Sequence, residues 1–331
     1  MELSLIIPVY NRPDEVDELL ESLTKQDYTD SYEVVIVEDG STIDCKSVIE
    51  KYSGLNISYF YKPNSGPGDS RNFGMRNAKG DYFIILDSDC ILPSDYLSQV
   101  KKSLENDYVD CFGGVDDATQ NFSEIQKAIN FAMTSLITTG GIRGASETLA
   151  KFQPRSFNMG ISQKAFEASG GFGNVHPGED PDLAIRLWDL GFETRLFKNV
   201  KVFHKRRISW DKFKIQVHKF GKARVILNHW HPKYIKLTFF FPGLFLIGFL
   251  FSIFLILFDF FFFISLYVLY FLICFVLSTL QSKSLKIGLL SVYAVMIQFY
   301  GYGTGFIKAF YKINILRQPP EKALPEMFFK L

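Results

Sequence analysis

The chain has 331 residues, a net charge of +1 and a hydrophobic fraction of 47%, enough length for two average domains. Its four cysteines, Cys45, Cys90, Cys111 and Cys274, lack the spacing of a zinc site or a disulfide framework and fit small buried hydrophobes in a reducing compartment. Both averages hide an asymmetry along the chain. Residues 237–280 carry a single charge, Asp259, and between Lys201 and Lys236 eleven Lys/Arg stand against Asp211 alone.

The first 120 residues alternate strand and helix. Met1-Glu2-Leu3 runs into a strand, 3–8, with no basic, apolar leader pattern, so the segment before the apolar stretches is expected in the cytoplasm. A helix over 14–25 follows, with Val16, Leu19, Leu20 and Leu23 at helical spacing, then a strand at 33–37 and a short helix at 47–52. A third strand is expected at 57–61, a helix at 69–78, a fourth strand at 82–86, and a helix over 94–106 with Ser94 as its cap. Such alternation implies right-handed crossovers and a mostly parallel sheet. Beyond it, 122–136 reads as helical, 138–155 as loop, and Gly178-Glu179-Asp180-Pro181-Asp182 as the start of a helix to about 190. Two short strands, 193–197 and 200–204, close this part.

In residues 209–228, Trp210, Phe213, Val217 and Phe220 recur at 3-4-3 spacing with lysines elsewhere. This predicts an interfacial helix with its aromatic face at the acyl boundary, against the alternative of an ordinary docked helix. Apolar spans are expected at about 237–257, 260–280 and 287–307. The basic segment just before them favours the cytoplasmic leaflet and leaves nucleic acid the weaker partner. The expected organisation is a catalytic domain at 1–208, a basic helix at 209–236 and a membrane region at 237–331.

Asp87-Ser88-Asp89 caps Tyr82-Phe83-Ile84-Ile85-Leu86, a run apolar enough to be buried on both faces. Carboxylates at the carboxyl end of such a strand sit where open α/β sheets bind ligands, and their oxygens suit Mg²⁺ or Mn²⁺ shared with a diphosphate. A solvated turn would have the same composition. Asp39-Gly40-Ser41 lies on the same edge, and Ser65-Gly66-Pro67-Gly68 precedes a helix whose first turn holds Arg71, a seat for an anion. No GxGxxG follows the first strand and no GxxxxGK[ST] occurs, which argues against nicotinamide or flavin enzymes and P-loop NTPases.

Ile6-Ile7-Pro8-Val9-Tyr10-Asn11, Val37-Glu38-Asp39-Gly40-Ser41, Ser65-Gly66-Pro67 through Arg71-Asn72, Asp87-Ser88-Asp89 and Gly178-Glu179-Asp180-Pro181-Asp182-Leu183 occur in that order. Together, over residues 3–207, they resemble the family 2 glycosyltransferases with a GT-A fold. The resemblance implies an inverting, metal-dependent transfer from a nucleotide-diphosphate sugar, usually a uridine one, to an acceptor hydroxyl. Pro8, Tyr10, Asp39 and Arg71 would hold the nucleotide, Asp87 the ribose and metal, and Asp89 the metal. Asp180 would be the general base, with Glu179 and Asp182 beside it able to raise its pKa or merely complement the helix dipole. His204 corresponds to a metal-binding histidine of some members and otherwise belongs to a basic patch with Arg206 and Arg207; Asn158 lies in an acceptor-proximal strand. His176 reads as an exposed loop residue.

The chain lacks the Gln-x-x-Arg-Trp motif of processive synthases. Its spans point to a membrane-associated, lipid-linked glycan acceptor at the bacterial inner membrane. The alternatives are a polyprenyl-phosphate glycosyltransferase and a catalytically silent scaffold of the same fold.

Overall fold

The computed structural model describes residues 1–117, 122–139, 151–204 and 209–329, with Asp117 and His204 described by backbone alone. In chain order its elements are β1 Leu3–Val9, α1 Pro13–Thr24, β2 Tyr32–Asp39, α2 Lys46–Ile49, β3 Ile57–Lys62, α3 Pro67–Asn77, β4 Tyr82–Leu86, β5 Cys90–Ile91 and α4 Tyr96–Asn106. Then come β6 Cys111–Asp117, α5 Glu124–Thr134, α6 Leu136–Thr139, β7 Asn158–Ser162, α7 Gln163–Ser169, α8 Glu179–Asp189 and β8 Thr194–His204. The remaining helices are α9 Trp210–Trp230, α10 Phe241–Ile256, α11 Phe262–Ser282, α12 Leu285–Phe310 and α13 Pro320–Ala323. Two compact units emerge: one from the described parts of Met1–Thr119, Glu147–Arg206 and Phe328–Leu331, the other from those of Gln120–Ser146 and Arg207–Met327.

The first unit is built on an eight-stranded sheet of order β3-β2-β1-β4-β7-β6-β8-β5. The four strands β3, β2, β1 and β4 are mutually parallel, as the alternation predicts; β7 runs antiparallel to β4 and β6, and β8 is parallel to β6. Side chains of a strand alternate between faces, so a sheet covered on both sides needs apolar residues at consecutive positions. β4 obeys this. Tyr82, Ile84 and Leu86 enter one core with Leu5, Ile7, Leu19, Leu20, Tyr96 and Leu97, which brings α1 and α4 onto that face. Phe83 and Ile85 enter the other with Ile6, Val35, Met75, Phe166, Leu183 and Leu187, from α3, α7 and α8. The carboxyl ends of β1, β2 and β4 are thereby aligned at one edge.

Several boundaries differ from expectation. Helix α4 begins at Tyr96 with Asp95 at its cap position, where no side-chain bond forms, so Ser94 is not the cap. The two strands expected after α8 are one, β8, continued through a register shift opposite Gly114/Val115 of β6. β6, with Gly113-Gly114 in its middle, has no counterpart among the expected strands. The glycines are required by proximity: a Cβ on Gly114 would meet Asn158 Nδ2 at 2.1 Å and Val200 O at 2.4 Å.

In the second unit, α11 and the helix running through Leu285–Ile315 are long and apolar enough to cross a membrane, with mean hydropathies of 2.4 and 1.2. The first expected span is instead α10, 16 residues long. At 1.5 Å per residue it covers about 24 Å, short of the ~30 Å hydrocarbon layer. Between the spans expected at 237–257 and 260–280 the chain turns at Asp259, with that residue at φ 57°.

The stripe on α9 also differs from expectation. Phe213 and Val217 are buried and Trp210 and Phe220 half-buried in a cluster with Ile129, Ala132 and Met133 of α5 and Ala294, Val295 and Phe299 of α12. The aromatic face is therefore covered by protein rather than turned to acyl chains. Contact with α12 is backbone to backbone. A Cβ on Gly221 would lie 2.2 Å from Tyr302 O, and one on Gly305 would lie 2.1 Å from His218 O.

Candidate active site

Two loops on the ligand edge are knitted together by Asn11, which follows β1. Its backbone takes the left-handed conformation (φ 55°), and its Oδ1 accepts hydrogen bonds from Thr42 N at 2.8 Å and Ile43 N at 3.0 Å. Beside it, Tyr10 is exposed, while Pro8 is half-buried in the ladder opposite Val37. Glu38, fully buried, accepts from Ser41 Oγ and from Cys45 N and fixes the turn after β2.

Asp39 ends β2 and is 4% exposed. Its Oδ1 accepts from Lys62 Nζ at 2.7 Å and Ser65 N at 2.9 Å, and its Oδ2 from Gly66 N at 2.9 Å. Lys62 Nζ also lies 3.2 Å from Asp69 Oδ2. The predicted nucleotide carboxylate is thus the anchor of the turn that opens α3, a position the sequence did not disclose. Lys62, buried at the end of β3, was missed altogether.

Helix α3 carries Arg71 inward, 4% exposed. Its Nη2 donates to Asp87 Oδ1 at 2.9 Å, its Nη1 reaches Glu179 Oε1 at 3.4 Å, and its guanidinium carbon lies 5.4 Å from the Phe172 ring centre. Burial works against the charge, but Asp87, Asp180 and Glu179 outweigh it and hold the guanidinium above its ordinary pKa.

Asp87 and Asp89 stand where predicted, just past β4, and both are half-buried. The side chain of Asp87 is 33% exposed. Cys90 registers their field: burial, then the charges of Asp87, Asp89 and Asp116, push its thiol well above its usual pKa. Asp116 lies near the end of β6, two strands from β5 in the sheet. An oxygen-only donor pair in a negative field, partly open to solvent, fits a hard divalent cation that keeps several positions for other oxygens. Among the described residues no group of three or more His, Cys, Asp or Glu surrounds one point. The backbone of His204 pairs with Cys90, next to Asp89 in the chain, whereas its side chain and all of Arg206 and Arg207 lie outside the described residues.

Opposite, α8 opens with the predicted acids. Glu179 is 6% exposed; its Oε1 is 2.8 Å from His176 Nδ1 and its Oε2 accepts from Gly178 N at 2.9 Å. Burial would raise its pKa, yet His176 and Arg71 drive it well below the usual carboxylate range. Asp180 is the reverse case. Burial and the charge of Glu179 push it up to about 6, against the pull of Arg71 and the Ser156 N–H. That N–H donates to Oδ2 at 3.1 Å, while Oδ1, shut from solvent, has no hydrogen-bond partner among the described residues. A carboxylate so placed accepts a proton readily near neutral pH.

Two predicted acceptor-side residues are otherwise engaged. Asp182 pairs with Arg186, whose guanidinium also holds the Ser169 and Gly171 carbonyls, so the carboxylate braces a loop and is not among the causes of the raised Asp180. Asn158 is fully buried, accepts from Tyr96 OH at 2.8 Å and donates to Val200 O at 3.1 Å. Its amide is engaged inside the sheet. His176 and Ser156 were the residues missed; the i,i+3 spacing of His176 and Glu179 was the available signal.

The family model described as glycosyl transferase family 2 matches residues 4–170. An uncharacterised glycosyltransferase of Rickettsia felis is 39% identical over 112 residues, 33% of this chain and 18% of its own length. The poly(ribitol-phosphate) beta-N-acetylglucosaminyltransferase TarS of Staphylococcus aureus is 33% identical over 114 residues, 33% of this chain and 20% of its own. The GalNAc(5)-diNAcBac-PP-undecaprenol beta-1,3-glucosyltransferase of Campylobacter jejuni is 32% identical over 192 residues, 56% of this chain and 60% of its own. The matches to the first two relatives thus span about a fifth of those proteins. Among solved structures, residues 1–349 of S. aureus TarS align with a TM-score of 0.53 at 19% identity, over 96% of this chain and 92% of that one. The mannosyltransferase PcManGT of Pyrobaculum calidifontis, in complex with GDP-Man and Mn²⁺, aligns with a TM-score of 0.53 at 20% identity, over 67% and 62%. The fold shared with these structures is the GT-A fold.

Proposed function

Because the chain belongs to glycosyl transferase family 2 and is a glycosyltransferase, we propose that it moves a sugar, with inversion, from a nucleotide diphosphate, UDP by preference, to a hydroxyl of a lipid-linked glycan. Asp180 is the general base of this reading. The observation that carries it is the unpartnered, desolvated Asp180 Oδ1 on a carboxyl raised to about 6. The acceptor O–H gives its proton to that oxygen as the new C–O bond forms and the bond to the nucleotide diphosphate breaks, in one displacement.

On the donor side, Pro8, Tyr10 and the Asp39-anchored turn receive the nucleotide, and Arg71 and Asp87 meet its ribose and phosphates. Asp87 and Asp89, with His204 as a further ligand, would hold a Mg²⁺ or Mn²⁺ ion, which supplies Lewis-acid neutralisation of the leaving diphosphate. The relative named for an undecaprenol-diphosphate acceptor supports a lipid-linked acceptor over a free lipid phosphate. The two long apolar helices and the basic segment before them support a working place at a membrane surface with residues 1–208 as the cytoplasmic catalytic domain. Here α9, expected as interfacial, contributes its lysines rather than its aromatic face.

The test is turnover of a nucleotide-sugar panel by membranes holding the full chain, with Asp180→Asn, Asp89→Asn and added EDTA as arms. Loss of transfer in all three, with folding intact, is the expected result. Undiminished transfer by Asp180→Asn would remove the base from this reading.

A further inference from the structure

Phe328 and Phe329 belong to the first unit although the chain reaches them through the helices of the second. Phe328 forms an antiparallel bridge with Val175, and Phe329 N donates to Asn174 O at 3.0 Å. The Phe329 ring then touches two loops at once. It lies against Gly66, which has φ 97° and where an added Cβ would fall 2.4 Å from ring carbons. Its centre is also 5.8 Å from that of the His176 ring. Gly66 is the turn held by Asp39 at the start of α3, and His176 is the imidazole paired with Glu179 at the start of α8. A cavity of about 380 Å³ lies between these loops, walled by Ser65, Asp69, Asn72, Phe172, His176 and Phe329.

We propose that Phe329 is a positioning residue for transfer: it clamps the 171–178 loop against the nucleotide-side turn and thereby sets His176. From His176 the path runs through direct contacts. His176 orients Glu179, Glu179 engages Arg71, and Arg71 engages Asp87, so one ring outside the reacting centre fixes both its halves. The Val175 bridge and the Asn174 bond make the clamp a short piece of sheet rather than a lone stacking contact. The proposal rests on Asp180 being the base, but its structural half does not.

The experiment uses the full chain in nanodiscs, as wild type, Phe329→Ala, Phe329→Tyr, His176→Ala and the double variant Phe329→Ala/His176→Ala. Hydrogen exchange is read on 171–178, with the β4 peptide as the folding control. Phe329→Ala should lose about tenfold protection in the loop and none in β4, and Phe329→Tyr should restore it. In turnover, Phe329→Ala should lower kcat about tenfold with donor KM within twofold, and the double variant should be no slower than His176→Ala alone. Unchanged loop exchange overturns the clamp. Lost protection with unchanged kcat, or additive losses in the double variant, overturns the positioning role. If wild type turns over no nucleotide sugar, the proposed function fails while the exchange arm still decides the clamp.

Discussion

Arg71 Nη2 lies 2.9 Å from Asp87 Oδ1, so a helix on one face of the sheet holds the acid that ends the fourth strand. The same guanidinium reaches Glu179 at 3.4 Å, which makes it the joint between the acids after β4 and those at the start of α8. Replacement by Met should leave two partly or fully buried carboxylates without their cation, a loss of about 3 kcal/mol by analogy with other broken buried pairs. Lys should not rescue activity, because one ammonium cannot reproduce a two-sided fork. Chemical denaturation in detergent, with turnover of the best donor, checks both.

With Asp180 as the proposed base, the acid limb of activity should follow its titration. With its pKa near 6, kcat should fall about tenfold per pH unit below that value, as the base takes up its proton. The stability consequence has the opposite sense to that of a salt-bridged acid. A carboxyl whose folded pKa is raised favours the folded state below about 4 and loses that contribution as pH rises through about 6. Asp180→Asn should therefore raise stability at pH 7.5 by about 1–2 kcal/mol, discounted for partial exposure, with no gain at pH 4. Thermal melts at the two pH values decide it.

Asp39→Asn should act on donor binding more than on chemistry. The amide cannot accept from Lys62, Ser65 and Gly66 together, so the turn opening α3 loosens. A rise in donor KM of about tenfold with kcat within a few-fold is expected, since positioning contacts act mainly through binding. Steady-state kinetics over donor concentration tests this.

Asn158→Ala should cost stability without touching acceptor use. It leaves the buried Tyr96 hydroxyl and the Val200 carbonyl without partners, a loss of about 2–3 kcal/mol. Acceptor KM should stay within twofold. A selective rise in acceptor KM would return Asn158 to the acceptor side.

Much of the strand-end half of the candidate site was legible because its signals are local. A five-residue apolar run ending in acids fixes β4 and the place of Asp87 and Asp89, and strand–helix alternation gives the parallel half of the sheet. What stayed hidden depends on contacts distant in sequence. Asp39 meets Ser65 and Gly66, Arg71 meets Glu179, and Asn158 turns into the sheet because Val200 and Tyr96 are there to receive its amide. The aromatic stripe of α9 has the same periodicity whether it faces lipid or α12; Gly221 and the glycines of α12 it packs against separate the two, and the latter lie some 90 residues on.

Those glycines fix more than a contact. Where Gly221 and Gly305 bring carbonyls and Cα atoms of α9 and α12 together, sliding or rotating either helix would drive a neighbouring side chain into the facing backbone. The close approach favours this one register between the two helices. The cationic residues of α9, Lys212, Lys214 and Lys219 among them, are consequently held at a fixed height along a helix long enough to cross a bilayer, as marks on a gauge.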